Sequence, residues 1–282
     1  ILKGTITSDV TLAAGNTYKL SGEYIVEEGA TLHIEEGVKI IAVYDDIADY
    51  ILVKQGGKIN AVGTPDKPIV MTSEKEEPGA WGGIHICGRA HTNAEGGKGS
   101  SEIGGAVYGG NDDADNSGTL QYIRLEYTGF AFDEEHEANG ISFYGVGNGT
   151  IVDHCQAYKG SDDGFEFFGG SVNVSNLVAV SCSDDSFDWT EGWNGKGTNL
   201  VAYQEAESTL GYDCDCLMEC DNNGSNNAAT PVAHPVLKNL ILVGNGGSKQ
   251  GIRLRAGTEV EIDNAKVCGK GQPLTCLLYT SP

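Results

Sequence analysis

The fold is decided by a stretch that occurs twice, SDDGFEF at residues 161–167 and SDDSFDW at residues 183–189. The copies lie 22 residues apart, and shorter relatives follow: NLVAY at 199–203, NLILV at 239–243 and GIRLR at 251–255. Within each unit, apolar and polar residues alternate in short runs separated by Gly, Asn or Asp, which indicates strands with one buried face. One such unit cannot enclose a core, whereas stacked copies can.

The sequence therefore predicts an all-β fold, a parallel β-helix (β-solenoid) of about ten coils, with equivalent strands paired at ~4.8 Å. The N-terminal third follows the same alternation less regularly. Two Gly-rich or Asn-rich stretches, 76–118 and 205–234, interrupt it, and we expect them to form long loops. We predict a single β-helix domain over residues 1–268 and an irregular tail over 269–282.

The charge balance excludes several kinds of partner. The 282 residues carry 18 Lys and Arg against 40 Asp and Glu, a formal net charge of −22. A surface this acidic repels phosphate backbones, so we expect no nucleic-acid partner. No apolar run reaches the ~18 residues that a membrane-spanning helix needs, so we expect no membrane span.

Eight cysteines indicate an exported protein with some disulfides. The chain begins at Ile1 without a leader, and we interpret it as a mature form or a fragment. Cys214, Cys216 and Cys220 are also spaced C-x-C-x₃-C, so zinc binding together with His234 is the alternative. The candidate disulfide residues are Cys214, Cys216, Cys220 and Cys268.

Six segments carry a resemblance to a known family: VEEGATL (26–32), GTPDKPIVMTS (63–73), GAWGGI (79–84), SDDGFEFFGG (161–170), DNN (221–223) and GIRLRAGT (251–258). They resemble secreted right-handed β-helix proteins of Bacteroidota-type bacteria, which belong to the pectate-lyase-like β-helix superfamily. The resemblance implies right-handed coils, as parallel β connections generally favour. It also implies a surface lipoprotein or type IX secretion cargo, located outside the cell or on its outer surface, and no particular activity.

Stacking turns the 22-residue offset into vertical columns of side chains. Two columns are apolar and are predicted to form the core, with burial stabilising by roughly 1.5–3 kcal/mol per large side chain. They consist of Phe165, Phe187, Met218 and Ile252, and of Phe167, Trp189, Cys220 and Leu254. Between them we predict an outward-facing column made of Glu166, Asp188, Glu219 and Arg253.

Turn pairs of aspartates flank this outward column. So many carboxylates at ~5 Å spacing cannot all stay ionised unless they bind a cation. Hard oxygen ligands suit Ca²⁺, so calcium is the predicted cofactor. A solvated acidic ridge and a catalytic carboxylate pair are the alternatives. The predicted metal ligands in these turns are Asp162, Asp163, Asp184 and Asp185.

A second calcium candidate is the loop at residues 112–118. Asp113, Asp115 and Ser117 fall at positions 1, 3 and 5 of an EF-hand-like loop, with Gly118 at position 6. Position 12 is Arg124 where such loops place a bidentate Glu, so half of the motif is present. An acidic turn without a metal is the alternative.

A polar column is predicted at another corner of the coil. Asn tolerates the left-handed turn conformation, and its amide can bond to the same residue one coil away. We interpret His154 as a member of this column, with a role as a catalytic base as the alternative. The asparagines are Asn176, Asn199, Asn239 and Asn264.

Aromatic residues in or near the loops suggest a sugar-binding surface, since rings stack on the apolar faces of sugars. The same rings could instead anchor the loops to the solenoid. The carbohydrate-binding candidates are Trp81, Tyr108, Tyr127, Tyr144 and Trp193.

Three functions follow from these features. We favour an exported cell-surface protein that binds calcium and a polysaccharide or cell-surface glycan. The second is a polysaccharide lyase or glycoside hydrolase that uses the stacked carboxylates and Arg253. The third is a structural subunit of an extracellular filament or matrix, formed by self-association of open solenoid ends. Whether catalysis occurs stays open.

Overall fold

The computed structural model describes residues 1–45, 47–132 and 136–277. These residues form the predicted right-handed parallel β-helix, with a short α-helix, α1 (Glu207–Leu210), and a 3-10 turn at Glu95–Gly97. The strands are β1 (Leu2–Ile6), β2 (Val10–Leu12), β3 (Thr17–Val26), β4 (Thr31–Ile34), β5 (Lys39–Ala42), β6 (Tyr50–Val53), β7 (Lys58–Val62), β8 (Ile69–Ser73), β9 (Ile84–Cys87), β10 (Gly99–Ser100), β11 (Val107–Tyr108), β12 (Gly118–Glu126), β13 (Ile141–Tyr144), β14 (Ile151–Tyr158), β15 (Phe165–Phe168), β16 (Asn173–Val180), β17 (Phe187–Thr190), β18 (Lys196–Tyr203), β19 (Met218–Asp221), β20 (Val236–Val243), β21 (Gln250–Arg255), β22 (Glu261–Cys268) and β23 (Gln272–Cys276).

Each coil contributes strands to three stacked sheets. The first sheet runs from β2 through β4 and β7 into the N-terminal halves of β12, β14 and the later long strands. The second contains β5, β8 and the C-terminal halves of those long strands. The third contains β6, β9, β13, β15, β17, β19, β21 and β23. The third sheet positions the candidate site.

The predicted register is confirmed along the third sheet. Phe165 pairs with Phe187, and their stacked rings have centroids 5.6 Å apart. Trp189 pairs with Cys220, which in turn pairs with Leu254. These side chains point inward and belong to one continuous core. Residues 22 positions apart are therefore vertical neighbours, as the alternation requires.

The asparagine column is also confirmed, and we call it the amide ladder (Asn176, Asn199, Asn239 and Asn264). The amide of Asn199 donates to Asn176 over 2.8 Å, Asn239 donates to Asn199 over 3.0 Å, and Asn264 donates to Asn239 over 2.8 Å. All four residues, and His154 in the same column, have left-handed backbone angles. The ladder lies where the first sheet bends into the second.

The predicted loop boundaries need correction. The stretch 76–118 contains β9, and the stretch 205–234 contains β19, and both are regular strands of the third sheet. The tail is not wholly irregular either, because β23 pairs with β21. Strand β23 lies at the end of the described stack, and its Leu274 is about half exposed. Residues 278–282 of the tail lie outside the described residues.

The disulfide prediction is wrong. None of the eight cysteines, all within the described chain, forms a disulfide. Cys220 points into the core, and Cys214 and Cys216 are separately buried, whereas Cys268 is exposed on β22. The zinc alternative gains no support, since His234 pairs with Glu259 at 3.0 Å.

Within the described residues, no helix has the length and apolar character needed to cross a bilayer.

Candidate functional site

The outward face of the third sheet brings the predicted acidic residues together. Glu166 pairs with Asp188, Asp188 with Glu219, and Glu219 with Arg253. Neighbouring strands lie ~4.8 Å apart, so each carboxylate has another one coil away. We call the carboxylates of this face the acidic ladder, which consists of Asp162, Asp163, Glu166, Asp184, Asp185, Asp188 and Glu219.

The aspartate pairs of the acidic ladder lie in the turns that lead into β15 and β17, and hydrogen bonds between coils fix their positions. Asp163 accepts a hydrogen bond at Oδ1 from the backbone N–H of Asp185, over 2.9 Å. The N–H of Asp163 in turn donates to Oδ1 of Asn139, over 3.2 Å. Asn139 also donates from its amide to Oε2 of Glu166, over 2.5 Å. Each coil thus orients the acidic side chain of its neighbour.

Burial makes the ionised state of these groups unfavourable. Loss of water raises the pKa of Asp163, Glu166, Asp185 and Asp188 well above the ordinary carboxyl range, and the adjacent negative charges raise it further. The same two causes raise the pKa of Asp162 to about 8. A buried carboxylate without a countercharge is strongly destabilising, so these groups need protons or a cation.

Two carboxylate oxygens of the ladder are buried and accept no hydrogen bond from any residue that the structure describes. They are Oδ1 of Asp185 and Oδ1 of Asp188. Asp185 is only 4% exposed. Ligand oxygens of Asp185, Asp188 and Glu219 lie within 4.8 Å of one another. Oxygens bound to Ca²⁺ at 2.3–2.6 Å lie at most about 5 Å apart, so this group fits such a cation.

Adjacent groups extend the same arrangement along the ladder. Oxygens of Asp163, Glu166 and Asp188 lie within 4.8 Å of one another, as do those of Asp162, Asp163 and Asp184. A group of this kind is also formed by Asp185 with Asp215 and Cys216. The predicted ligands at 162–163 and 184–185 are therefore brought together by the fold.

Two arginines neutralise the C-terminal end of the ladder. Arg253 donates from Nη1 to Oε1 of Glu219 over 2.8 Å. Arg255 forms an ion pair with Glu219 and donates from Nε to Oδ1 of Asp221 over 2.7 Å. The excess negative charge is therefore concentrated on the two preceding coils, at Asp163 and Glu166 on the coil of β15 and at Asp185 and Asp188 on the coil of β17.

Sequence reasoning missed two members of the site. Asn139 precedes β13 as Asp163 precedes β15, and the signal was present in the alignment of NGISFY (139–144) with DGFEFF (163–168). Asp215 lies in the stretch 205–234, which the sequence predicts to be a loop, and its carboxylate pairs with Lys249 at 2.5 Å. Only the coil register, with β19 included, could have identified it.

In the EF-hand-like loop at residues 112–118, the predicted calcium ligands form hydrogen bonds with other groups of the protein. Asp113 lies 2.7 Å from Nδ1 of His91 and accepts a hydrogen bond from the His91 backbone N–H over 3.1 Å. Ser117 donates its hydroxyl to Oδ2 of Asp115, over 3.2 Å. Calcium binding by these three residues stays a prediction.

The predicted aromatic platform is wrong for four of its five residues, because they are buried. The indole N–H of Trp81 donates to the carbonyl of Glu126 over 2.7 Å, and that of Trp193 to the carbonyl of Val172 over 3.2 Å. Their polar atoms thus find partners inside, and the rings anchor loops to the solenoid. Tyr127 alone is partly exposed, and the buried four are Trp81, Tyr108, Tyr144 and Trp193.

Fold and site together define a parallel β-helix with a buried row of carboxylates on one outer face. A family model described as a pectate-lyase-like beta helix domain matches residues 4–277, and the chain belongs to this family. A search of curated proteins finds no match to the chain.

Proposed function

We propose that the protein binds polysaccharide on the outer face of its third sheet, through calcium held by the acidic ladder. The proposal is carried by the buried oxygens of Asp185 and Asp188, which have no hydrogen-bond partner within residues 1–45, 47–132 and 136–277 and which form one group with Glu219. An exported protein on the outer cell surface is the setting that we propose for this activity.

Charge and coordination favour a calcium ion over protons alone. At neutral pH the ladder concentrates several acidic groups in a poorly hydrated site, and one divalent cation offsets two of their charges. Asp185, Asp188 and Glu219 would hold it, with Asp163 and Glu166 beside them. Ca²⁺ takes six to eight oxygens, so three carboxylates leave positions for oxygens of a ligand.

Polysaccharide is the ligand class that the fold supports. Membership of the pectate-lyase-like family points to it. The face also repeats with every coil, so successive carboxylates can meet successive sugars of an extended chain. A bound cation would link the acidic protein, of net charge −22, to sugar hydroxyls or carboxylates.

The proposal is tested by binding measurements with and without calcium. We expect calorimetry to show calcium binding that weakens at least tenfold in Asp188→Asn, and gel retardation by polysaccharide to disappear in EDTA. Asp263→Asn removes the same charge from an exposed ion pair on β22 and serves as the matched control. Unchanged calcium affinity in Asp188→Asn would overturn the proposal.

Glycoside hydrolysis is a second candidate, favoured by one observation. Glu166 and Asp188 are neighbours across adjacent strands, at a spacing close to the ~5–5.5 Å that separates the carboxyls of retaining hydrolases. Release of reducing ends from a polysaccharide panel, lost in Glu166→Gln and Asp188→Asn, would support it. Arg253 forms an ion pair with Glu219, so it could act as the base of a lyase only after that ion pair is broken.

A further inference from the structure

A polar cleft opens at the C-terminal end of β17, beside the acidic ladder. Its volume is about 670 Å³, and it lies between the segment that follows β9 and the segment that follows β19. Hydroxyl, amide and carboxylate groups dominate its walls. The polar lining residues are Asn93, Glu95, Thr190, Glu191, Asn223, Ser225 and Asn226.

Glu191 has an unusual backbone conformation for its residue type. Tyr144, Phe168 and Thr190 are in register on successive coils, so the residues that follow them are equivalent. Two of these are Gly145 and Gly169, with φ of 56° and 65°, and Glu191 has φ of 53°. The left-handed conformation is strained for a residue that carries a Cβ atom. Such strain at a cleft points to a functional role of the side chain.

The carboxylate of Glu191 is held in place by two hydroxyl groups. Thr92 and Tyr108 both donate to its Oε2 over 2.7 Å. A carboxylate offers about four acceptor positions, so two donors leave capacity for a ligand. The side chain is therefore fixed before a ligand arrives.

The opposite wall is an ordered network of amides. Asn93 donates to Oδ1 of the buried Asn222 over 2.8 Å, and Asn223 donates to Oδ1 of Asn93 over 3.0 Å. Oδ1 of Asn223 accepts the backbone N–H groups of Ser225 and Asn226. This network fixes the loop after β19 against the loop after β9, and it gives the cleft a preformed polar wall.

We infer that this cleft binds a neutral, hydroxyl-rich saccharide, with Glu191 accepting hydrogen bonds from two sugar hydroxyls. Glu191 and the adjacent ladder repel an anionic sugar at this point. Thr190 follows Asp188 by two residues on the same face of β17, a distance of ~6.6 Å along the strand. One glycan chain can therefore reach both places, and in this respect the inference rests on the proposed function. Binding in the cleft itself needs no cation.

Calorimetry with neutral hexasaccharides of glucan, mannan, galactan and xylan tests the inference, with oligogalacturonate as the anionic comparison. We expect at least one neutral oligosaccharide to bind in EDTA, and its affinity to fall at least tenfold in Glu191→Gln. Glu207→Gln, on the exposed helix α1, is the matched control and should bind normally. Glu191→Gly should also lose the sugar, since the acceptor carboxylate is gone.

Two results would overturn the inference: no neutral oligosaccharide binds, or Glu191→Gln binds as tightly as the original chain. Asp188→Asn separates it from the proposed function. If calcium dependence is absent while Glu191→Gln loses the sugar, the cation proposal fails and the cleft stands. If calcium binding is normal and the cleft variants bind sugar unchanged, the cleft fails alone.

Discussion

The amide ladder and the acidic ladder share the same stacking geometry, but only in the amide ladder do neighbouring side chains form hydrogen bonds with one another. In the amide ladder each inner asparagine donates to one neighbour and accepts from the next. Ionised carboxylates only accept, so the members of the acidic ladder cannot pair with one another. Asp185 and Asp188 are left with buried oxygens that no donor in the described part of the chain reaches.

This difference in hydrogen bonding distinguishes a column of side chains that stabilises the fold from a column that is suited to bind a ligand. Repetition along a β-helix stabilises a side chain that is both donor and acceptor, and it penalises a repeated charge. A repeated buried charge therefore indicates a missing countercharge, which for this chain we propose to be calcium.

Withdrawal of calcium should have the largest effect. At a calcium concentration 100 times its Kd, binding stabilises the folded state by about 2.7 kcal/mol. For a chain of this size that corresponds to a loss of roughly 5–10 °C in melting temperature when EDTA is added. Differential scanning calorimetry should show this shift in the original chain and in Asn199→Gly, and little of it in Asp188→Asn. An identical melting temperature with and without EDTA would contradict the cation site.

The pH dependence without calcium should have the opposite sign to ordinary acid denaturation. The folded-state pKa of Asp162 is raised to about 8, and those of Asp163 and Asp185 lie well above the usual range. The folded state then binds more protons than the unfolded state, so stability falls as the pH rises from about 4 to 8. The slope is at most about 1.4 kcal/mol per pH unit for each proton.

Urea unfolding in EDTA across this pH range measures that slope. Groups whose pKa is lowered, such as Asp153, lose their stabilising effect only in acid, below the usual Asp value. They do not offset the decline near neutrality. A stability that rises between pH 5 and 8 would be inconsistent with an acidic ladder that lacks its cation.

Asp188→Asn should stabilise the calcium-free protein by about 1–3 kcal/mol at pH 7. The substitution removes a buried charge and supplies an amide that can donate to adjacent carboxylates. Equilibrium unfolding in urea with EDTA gives the free energy directly, with Asp263→Asn as the exposed control. A destabilised Asp188→Asn would show that the carboxylate has a favourable protein partner.

Asn199→Gly should have the smallest effect, a loss of about 1 kcal/mol. Glycine accepts the left-handed backbone, so the change isolates two exposed side-chain hydrogen bonds of modest net value. Chemical denaturation should give the same loss in calcium and in EDTA. A loss that depends on calcium would mean that the two ladders are coupled.

The register was predictable from sequence and the burial of the outer face was not. The alternation around Phe165 and Phe187 fixes which residues point inward, and the 22-residue offset then places Glu166 beside Asp188. Tyr144 and Leu52 also point away from the solenoid core, yet they are buried in a second apolar cluster with Tyr108 of the β10–β11 hairpin. That packing depends on how a loop folds back, which no local pattern encodes.

Composition was a weaker guide than register. The number of cysteines suggested disulfides, but bonding depends on distance, and Cys220 occupies a core position. The same applies to Trp193, whose aromatic character suggested a sugar platform and whose ring stacks on Phe167 with centroids 4.2 Å apart. Calcium, glycan binding, export and self-association stay predictions.

The most direct test of the cation site is anomalous diffraction from crystals of the protein soaked in terbium, which replaces calcium at oxygen sites. We expect a strong anomalous peak between the carboxylates of Asp185, Asp188 and Glu219, lost in crystals of Asp188→Asn. An absence of any peak along the acidic ladder, or a peak only at the 112–118 loop, would rule out the cation site.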